Sequence, residues 1–418
     1  MFKINKKIKK IKYSQIGKSS DDEFISFIYK KFMNEYYRIF SLDENNIINL
    51  LKYKNFNGMN VFYPYTKFII DKLENMTDQA KEIGEINLVQ EYNNRLFGFN
   101  TKYFGIMKFL EKFNIKIENK NVLILAEEKP IDTILYLLKI FKINSYEVLN
   151  FEEFKSKKDS NAQIIFSTID FEKYDDSIIN LDNYKKLETV IDLNASPIFS
   201  KLYISAINKN IKAYNGLYAL LYQEKKNIEI LTKQRFDDTV FEDILREYIK
   251  SKLNIILVGM PGAGKTTIGK KVSNILNKEH IDLDIEFYYE YGISPSQYLK
   301  NESEESFRDK ESKIVERLSH LNNKIISTSG GAVQLIENHY HLKKNSIIFR
   351  VDRNIEDLST RNRPLSNGGI KTLIKMLNSR KKMYEYFADF IVENRGNFDK
   401  TAIIIVDIYK KYIKKELW

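Results

Sequence analysis

The stretch Gly259-Met260-Pro261-Gly262-Ala263-Gly264-Lys265-Thr266-Thr267 decides the fold of the C-terminal part of the chain. It follows an apolar run, Asn254–Val258, that predicts a strand, and its end opens an amphipathic segment, Lys265–Leu276, that predicts a helix. Glycines let backbone N–H groups turn inward around a phosphate, and the start of the helix adds its positive dipole end. We expect Lys265 to bridge the β- and γ-phosphates of a nucleotide and the Thr266 hydroxyl to bind Mg²⁺. The stretch therefore predicts a P-loop.

Short apolar runs alternate with helix-length amphipathic segments over nearly the whole chain, which is typical of an α/β protein. Further strands are predicted at 121–125, 163–167, 189–193 and 346–349, and a further helix at 304–318. The charged segment 225–252 carries no strand pattern and is interpreted as a helical linker, with the main boundary near Phe236.

Composition excludes several classes of function but does not identify one. The chain has 418 residues, which is long enough for two or three domains, and its net charge is +11. It has no cysteine, which excludes disulfide frameworks, thiolate zinc sites and cysteine nucleophiles. The charge is spread along the chain, so we expect no nucleic-acid partner. No apolar stretch approaches the length of a membrane span and no signal peptide is recognisable, so we expect no membrane partner and a cytoplasmic location.

Carboxylates and arginines that follow the P-loop predict the acceptor site. Asp282 and Asp284, expected on an extended segment, offer one carboxylate for Mg²⁺ through water and one to act as base or to orient an acceptor hydroxyl. Arg308 and Glu311 share one face of the predicted helix at i, i+3. Arginines of this kind suit a carboxylate and a transferring phosphate. The remaining candidates are the glycine turn Ser329-Gly330-Gly331 and the arginines Arg361, Arg363 and Arg380.

In this order, residues 254–418 resemble shikimate kinase. The resemblance implies a P-loop fold with a five-stranded parallel sheet, a mobile lid, and transfer of the ATP γ-phosphate to the 3-hydroxyl of shikimate with Mg²⁺, a step of chorismate and aromatic amino-acid biosynthesis. It implies ATP-binding roles for Gly259, Gly262, Ala263, Gly264, Lys265, Thr266, Thr267 and Arg361. It implies substrate-binding roles for Asp284, Arg308, Glu311, Gly330, Gly331 and Arg380, catalytic roles for Lys265, Asp284 and Arg363, and a metal site at Thr266 and Asp282.

Two departures from that family bear on activity. Ser329 stands where the family usually has a first glycine, and the lid between Arg361 and Arg363 is a single residue. Because lid closure excludes water and positions the arginine, a short lid is expected to lower the rate or to waste ATP. An ATP-binding regulatory protein without chemistry is therefore one alternative, and another small-molecule kinase is a second.

The N-terminal 232 residues carry a second resemblance, to shikimate dehydrogenase. The matching motifs are Gly58 to Pro64 (GMNVFYP), Ala80 to Asn87 (AKEIGEIN), Gly98 to Thr101 (GFNT), Asp192 to Pro197 (DLNASP) and Gly216 to Gln223 (GLYALLYQ). The resemblance implies an α/β substrate domain over residues 1–104 with a return helix at 216–232, and a Rossmann-like domain over 105–232. A linker at 233–252 and the kinase domain at 253–418 complete the predicted organisation.

The departures from the shikimate dehydrogenase family lie at residues that the family uses for proton transfer and cofactor binding. Thr66 stands at the family's proton-relay lysine, with Lys67 one residue later, and Lys102 stands at the paired aspartate. The glycine-rich cofactor turn is replaced by Ala126-Glu127-Glu128-Lys129-Pro130, whose carboxylates would repel a diphosphate. Asn87 and Gln223, polar contacts to substrate in the family, are kept. We therefore expect no NADP binding and an inactive dehydrogenase-like half. A bifunctional dehydrogenase/kinase stays the alternative, and self-association through this half stays open.

Overall fold

The structure is a computed structural model, and it describes residues 11–19, 21–33, 37–127, 130–175, 179–358 and 369–414. The chain divides into two compact units. The first comprises residues 1–171, 180–196 and 209–248, and the second comprises residues 172–179, 197–208 and 249–418. The domain boundaries drawn from the sequence stay predictions. Within the described ranges, no helix has both the length and the apolarity to cross a bilayer.

The described strands and helices alternate along the chain. The strands are β1 (Ile11–Ile16), β2 (Arg38–Phe40), β3 (Phe56–Val61), β4 (Asn75–Met76), β5 (Leu88–Tyr92), β6 (Arg95–Phe99), β7 (Asn121–Leu125), β8 (Ser145–Leu149), β9 (Ile164–Ser167), β10 (Thr189–Asp192), β11 (Lys212–Asn215), β12 (Asn254–Val258), β13 (Glu279–Asp282), β14 (Lys324–Ser327), β15 (Ser346–Asp352) and β16 (Phe390–Glu393). The helices are α1 (Asp22–Met33), α2 (Glu44–Tyr53), α3 (Tyr65–Phe68), α4 (Asp78–Ile83), α5 (Lys102–Lys112), α6 (Asp132–Ile140), α7 (Phe151–Ser156), α8 (Lys201–Ile207), α9 (Leu217–Thr232), α10 (Asp238–Lys252), α11 (Lys265–Leu276), α12 (Leu283–Tyr291), α13 (Pro295–Asn301), α14 (Glu304–Leu318), α15 (Glu337–Lys343), α16 (Gly369–Phe387) and α17 (Phe398–Lys414).

The first sheet of the first unit is mixed and runs in the order β2-β1-β3-β5-β6-β4. Strand β1 pairs in parallel with β2 and β3, whereas β5 pairs antiparallel with β3 and β6. Strand β3 is largely buried because it lies between two neighbours. Its side chains Phe56, Met59 and Val61 join Ile47 and Leu51 of α2 in one apolar core.

The second sheet of the first unit has the order β11-β10-β9-β7-β8, and every described pair is parallel. The continuous apolar sequence of β7 fits a strand that is covered on both faces. Helices α5 and α9 pack in close contact, since a Cβ atom at Gly105 would lie 2.2 Å from the carbonyl oxygen of Ala219. The predicted α/β class and a parallel sheet in this half are confirmed.

The sheet of the second unit has the order β13-β14-β12-β15-β16, with all described pairs parallel. This confirms the expected five-stranded parallel sheet. From β12 the chain passes to β13 and β14 on one side, and from β14 it crosses to β15 and β16 on the other side of β12, so the strand order reverses at β12. Ligands of open parallel sheets bind beyond the carboxyl ends of the strands at such a reversal, and the P-loop lies there.

Local predictions from the sequence agree closely with these elements. The predicted helices at 265–276 and 304–318 are α11 and α14 to the residue, and the strand predicted at 346–349 continues to Asp352. The charged segment interpreted as a helical linker belongs to two helices, the end of α9 and all of α10, with a break between them that contains Phe236.

Candidate active site

The P-loop connects β12 to α11 in a conformation that requires its glycines. Gly259 has φ +143° and Gly264 has φ +100°, and a Cβ atom at Gly259 would lie 2.4 Å from the carbonyl oxygen of Val351. The Lys265 ammonium donates to the carbonyl oxygens of Gly259 at 2.8 Å and Met260 at 3.2 Å. The lysine is thus held over its own loop, where a phosphate chain would meet it.

One cavity of about 550 Å³ extends from the P-loop to the glycine turn after β14. It brings together eleven of the residues predicted from the sequence, which are Gly262, Gly264, Lys265, Thr266, Thr267, Asp282, Asp284, Arg308, Gly330, Gly331 and Arg380. Glu311 does not line the cavity, but it accepts a hydrogen bond from Arg308, which does. Gly259 and Ala263 belong to the P-loop. Arg361 and Arg363 lie outside the described residues, so their predicted roles stay predictions.

The two aspartates lie on different elements. Asp282 ends β13 and caps α12, because its side chain accepts from the backbone N–H of Asp284 at 3.0 Å. Asp284 is exposed and lies in the first turn of α12, so the prediction that both residues share one extended segment is wrong. The Thr266 hydroxyl donates to Asp282 Oδ2 at 2.6 Å. A hydroxyl and a carboxylate side by side at the P-loop are oxygen donors of the kind that Mg²⁺ takes beside a nucleotide.

Arg308 is held by a buried carboxylate, as its spacing from Glu311 predicted. Its Nη1 donates to Glu311 Oε2 at 2.7 Å, and the two side chains are 8% and 2% exposed. Burial opposes the charged form of Arg308, but Glu311 and Glu304 outweigh burial and raise the pKa of the guanidinium. The hydroxyl of Ser329 donates to Glu311 and accepts from the backbone N–H of Gly331 at 3.2 Å. The serine at the family's glycine position is therefore part of the hydrogen-bond network.

The glycine turn needs its small residues because neighbours approach closely. A Cβ atom at Gly331 would lie 2.1 Å from Arg308 Nη2, and one at Gly330 would lie 2.5 Å from Pro261 Cδ. Either substitution would displace a group that lines the cavity.

Arg380 of α16 is the second buried guanidinium at the cavity. Its Nη1 donates to the carbonyl oxygen of Gly330 at 3.0 Å, and the Tyr384 hydroxyl donates to the same oxygen at 2.5 Å. Burial lowers the pKa of Arg380, and the charge of Arg308 adds to that effect. Burial raises the pKa of Tyr384 to about 12, so this phenol stays a hydrogen-bond donor at neutral pH.

The sequence reading missed several residues around the cavity. Arg353 follows β15 and lines the cavity beside Phe398, with its Cζ 5.7 Å from the ring centroid. The Nε of Arg353 is buried and has no hydrogen-bond partner among the described residues. Asn394 fixes the P-loop by donating to the carbonyl oxygen of Ala263 at 2.7 Å. No local pattern marks these three residues, because they reach the P-loop through the packing of neighbouring strands and α17.

A histidine of α15 is buried near the end of α16. His339 packs against Tyr386 and Phe387, and burial lowers its pKa to about 3. Among the described residues, no group of three or more histidines, cysteines or carboxylates is arranged to hold a metal ion.

Two of the dehydrogenase-like positions in the first unit are hydrogen-bonded to neighbouring side chains, and a third is buried without a partner for its hydroxyl among the described residues. Asn87 donates to the Thr101 hydroxyl at 2.9 Å, and Gln223 donates to the carboxylate of Glu224 at 2.9 Å. Thr66 is buried, and its hydroxyl has no hydrogen-bond partner among the described residues.

Lys67, the neighbour of Thr66, forms an ion pair within the first unit. Its ammonium forms an ion pair with Asp132 at 2.8 Å, and Asp132 lies in the first turn of α6. An anionic side chain thus already lies at the start of this helix, after the turn that contains Ala126 and Glu127. Glu128 and Lys129 of that turn lie outside the described residues.

Comparison with protein families and curated sequences identifies two sets of relatives. The family model described as "Shikimate kinase" matches residues 261–410. A shikimate kinase from Caldicellulosiruptor bescii is 38% identical over 139 residues, which are 32% of this chain and 81% of that protein. The chain spans only 32% of a bifunctional shikimate kinase/3-dehydroquinate synthase from Thermotoga maritima, to which it is 32% identical over 158 residues. A shikimate dehydrogenase (NADP(+)) from Clostridium perfringens is 26% identical over 257 residues, 56% of this chain and 95% of that protein.

Among solved structures, shikimate dehydrogenase 1 from Peptoclostridium difficile superposes with a TM-score of 0.50 at 22% identity. The match covers 57% of this chain and 97% of that structure. At this identity the similarity concerns the fold alone.

Proposed function

The chain belongs to the shikimate kinase family, and from this premise we propose that the cavity of the second unit binds ATP, Mg²⁺ and shikimate in the roles assigned from the sequence. The family reaction is ATP-dependent phosphorylation of shikimate, and this is the activity of the second unit. The observation that carries the assignment of residues is that one cavity holds a P-loop, an acidic residue and two buried arginines.

The arginines supply recognition of the acceptor's carboxylate. Arg308 and Arg380 are almost fully buried, yet both line the cavity. A planar guanidinium binds a carboxylate through two donors, and burial strengthens such charge-assisted hydrogen bonds. Shikimate carries a carboxylate on a ring with three hydroxyl groups, so we propose that this pair fixes the ring and aims one hydroxyl at the P-loop.

The P-loop supplies the binding site for the phosphates and the metal. The backbone N–H groups around Gly262 to Thr266 and the Lys265 ammonium would hold the β- and γ-phosphates. The Thr266 hydroxyl would bind Mg²⁺ directly, and Asp282 would hold it through water, as their 2.6 Å hydrogen bond allows. Bound Mg²⁺ would neutralise charge on the phosphate oxygens.

In the proposed transfer step, Asp284 accepts the proton of the attacking hydroxyl group. The shikimate 3-hydroxyl oxygen attacks the γ-phosphorus, the bond from that phosphorus to the β,γ-bridging oxygen breaks, and ADP leaves with the bond's electron pair. The carboxylate of Asp284 accepts the hydroxyl proton, and Lys265 stabilises the negative charge that grows on the leaving oxygen. Arg363 is proposed to stabilise the transferring phosphoryl group.

Product analysis tests this function. The full chain is incubated with ATP, Mg²⁺ and shikimate, and mass spectrometry should detect a shikimate product heavier by one phosphoryl group. A protein that only binds ATP would give no such product. Another small-molecule kinase would phosphorylate a different acceptor and leave shikimate unchanged.

We further propose that the first unit does not transfer hydride. Lys67 is paired with Asp132 and Thr66 is buried, so no free ammonium is offered at the proton-relay position. The acidic residue at the start of α6 opposes a diphosphate by charge. The test is oxidation of NADPH by the full chain with 3-dehydroshikimate, followed by absorbance. Turnover above the rate without 3-dehydroshikimate would instead establish a bifunctional enzyme.

A further inference from the structure

Two guanidinium groups at the cavity share one carboxylate oxygen of the protein itself. Oε1 of Glu304 lies 3.0 Å from Arg308 Nη2 and 3.6 Å from Arg380 Nη2. Glu304 begins α14, and its side chain is 40% exposed, whereas the two arginine side chains are 8% and 6% exposed. A partly exposed carboxylate therefore lies against two buried cations.

Each of the two arginines also has a contact that does not involve Glu304. Arg308 is held by Glu311, which is buried and also accepts from Ser329. Arg380 is held through Nη1 by the carbonyl oxygen of Gly330. Among the ion pairs of the described residues, Glu304 provides the carboxylate that approaches Arg380.

The two guanidinium charges are already balanced by two carboxylates of the protein, so a further carboxylate is accommodated only if one of these two leaves. Two guanidinium charges face Glu311, which is committed to Arg308, and Glu304, which contacts both arginines. If a ligand carboxylate bound the same two guanidinium groups, it and Glu304 would lie within a few ångströms of each other and repel. The Arg308–Glu304 pair has i, i+4 spacing within one helix, so it breaks and reforms by side-chain rotation alone.

We propose that Glu304 occupies the position of the substrate carboxylate when no substrate is bound and is displaced when that carboxylate binds. Glu304 is thereby a specificity-determining residue, because a ligand must bind the two arginines better than Glu304 does. Weak inorganic anions would fail this competition, whereas a carboxylate that is also held by its ring hydroxyls would win it. This inference rests on the proposed function, since it takes shikimate as the ligand.

The released side chain has a favourable alternative position. Glu304 lies in the first turn of α14 behind the cap Ser303, where the positive end of the helix dipole stabilises an anion. Displacement into water at that helix start therefore costs little, and the arginines keep their other contacts throughout.

The test compares Glu304→Gln with Glu305→Gln in the full chain. Glu305 is the next residue of the same helix turn, carries the same charge and is exposed, so it is a matched control. Calorimetry gives the dissociation constant of shikimate, and steady-state kinetics gives kcat and the inhibition constant of sulfate, a probe for small anions. Circular dichroism verifies that both variants are folded.

For Glu304→Gln we expect the dissociation constant of shikimate to fall by about 3- to 10-fold, the range of a partly exposed ion pair. We expect sulfate inhibition to strengthen by a similar factor, kcat not to rise, and Glu305→Gln to behave as the wild type. Unchanged or weaker binding of shikimate and sulfate by Glu304→Gln would overturn the proposal.

The same experiment separates this proposal from the proposed function. If the wild type does not bind shikimate at all, the assignment of the ligand fails. The role of Glu304 is then tested by sulfate binding, measured as the rise in melting temperature that sulfate produces. A shift gained by Glu304→Gln and not by Glu305→Gln supports competition for the arginines, and equal shifts contradict it.

Discussion

The hydroxyl of Thr266 donates a 2.6 Å hydrogen bond to Oδ2 of Asp282, which joins the first turn of α11 to the end of β13. The second carboxylate oxygen, Oδ1, accepts from the backbone N–H of Asp284 at 3.0 Å. One aspartate thus orients the residue proposed to bind Mg²⁺ and the residue proposed to act as base. The proposed metal site and the proposed acceptor site are thus connected through the hydrogen bonds of a single side chain.

Replacing this aspartate should therefore affect the use of Mg²⁺. For Asp282→Asn we expect kcat to fall by roughly 10- to 100-fold, as for groups that orient a metal ligand. The Mg²⁺ concentration for half-maximal rate should rise, because a carboxylate charge is lost. Kinetics at several Mg²⁺ concentrations checks both effects, with Asp309→Asn, an exposed residue of α14, as control. A normal Mg²⁺ dependence in Asp282→Asn would refute the metal assignment.

The buried pair Arg308–Glu311 should contribute strongly to stability. Glu311→Ala leaves a buried guanidinium without its nearest counter-charge, and we expect the free energy of unfolding to fall by about 3–5 kcal/mol. Glu393→Ala breaks an exposed pair with Arg395, and there we expect a change within about 1 kcal/mol. Hydrogen exchange of α14 and β16 peptides in the full chain measures both. Equal, small effects would mean that Glu311 does not stabilise Arg308.

Arg353 should act on the nucleotide and not on the acceptor. It lines the cavity beside Phe398, whose ring lies against the P-loop residue Gly264. For Arg353→Ala we expect the KM for ATP to rise by about 3- to 30-fold, with the KM for shikimate unchanged. Arg395→Ala is the control, since that side chain is 85% exposed. A rise in the KM for shikimate alone would contradict a role of Arg353 in nucleotide binding.

Glu224 should make the first unit less stable as pH rises. It is fully buried, and burial raises the pKa of its carboxyl group despite hydrogen bonds from Asn60, Gln223 and Asn227. The pKa of Glu224 is higher in the folded than in the unfolded chain. The contribution of Glu224 to the free energy of unfolding is therefore complete below the pKa of the unfolded chain, and it is lost as the pH rises through the pKa of the folded chain.

Glu224→Gln stays neutral, so its stability advantage over the wild type should be near zero at acid pH. The advantage should grow with pH by at most about 1.4 kcal/mol per unit. Hydrogen exchange of α9 peptides between pH 4 and 8 measures it, with the exposed Glu118→Gln as control. A difference that does not depend on pH would show that the carboxylate is charged in the folded chain without penalty.

The sequence predicted the P-loop, α11 and the Arg308–Glu311 pair correctly because each depends on neighbours close in the chain. It misplaced Asp284, because the Asp282 side chain accepts from the backbone N–H of Asp284 and so caps a helix where an extended segment was expected. Glu304 has a visible i, i+4 spacing from Arg308, but its approach to Arg380 depends on how α16 packs.

The burial of His339 follows from tertiary packing of the same kind, since its ring contacts come from residues at the end of α16. In the first unit, the changes at Thr66 and Lys102 were evident from the sequence. The pairing of Lys67 with Asp132 was not, because it joins the start of α6 to a residue 65 positions earlier in the chain, 132 − 67.

The most direct test of the central claim is the initial rate of ADP release by the full chain with ATP and Mg²⁺, with and without shikimate, in the wild type and in Asp284→Ala. We expect shikimate to stimulate release by the wild type and by the control Asp309→Ala, and Asp284→Ala to lose that stimulated rate by roughly 100-fold or more. Wild-type release that does not respond to shikimate, or a normal stimulated rate in Asp284→Ala, would contradict the account.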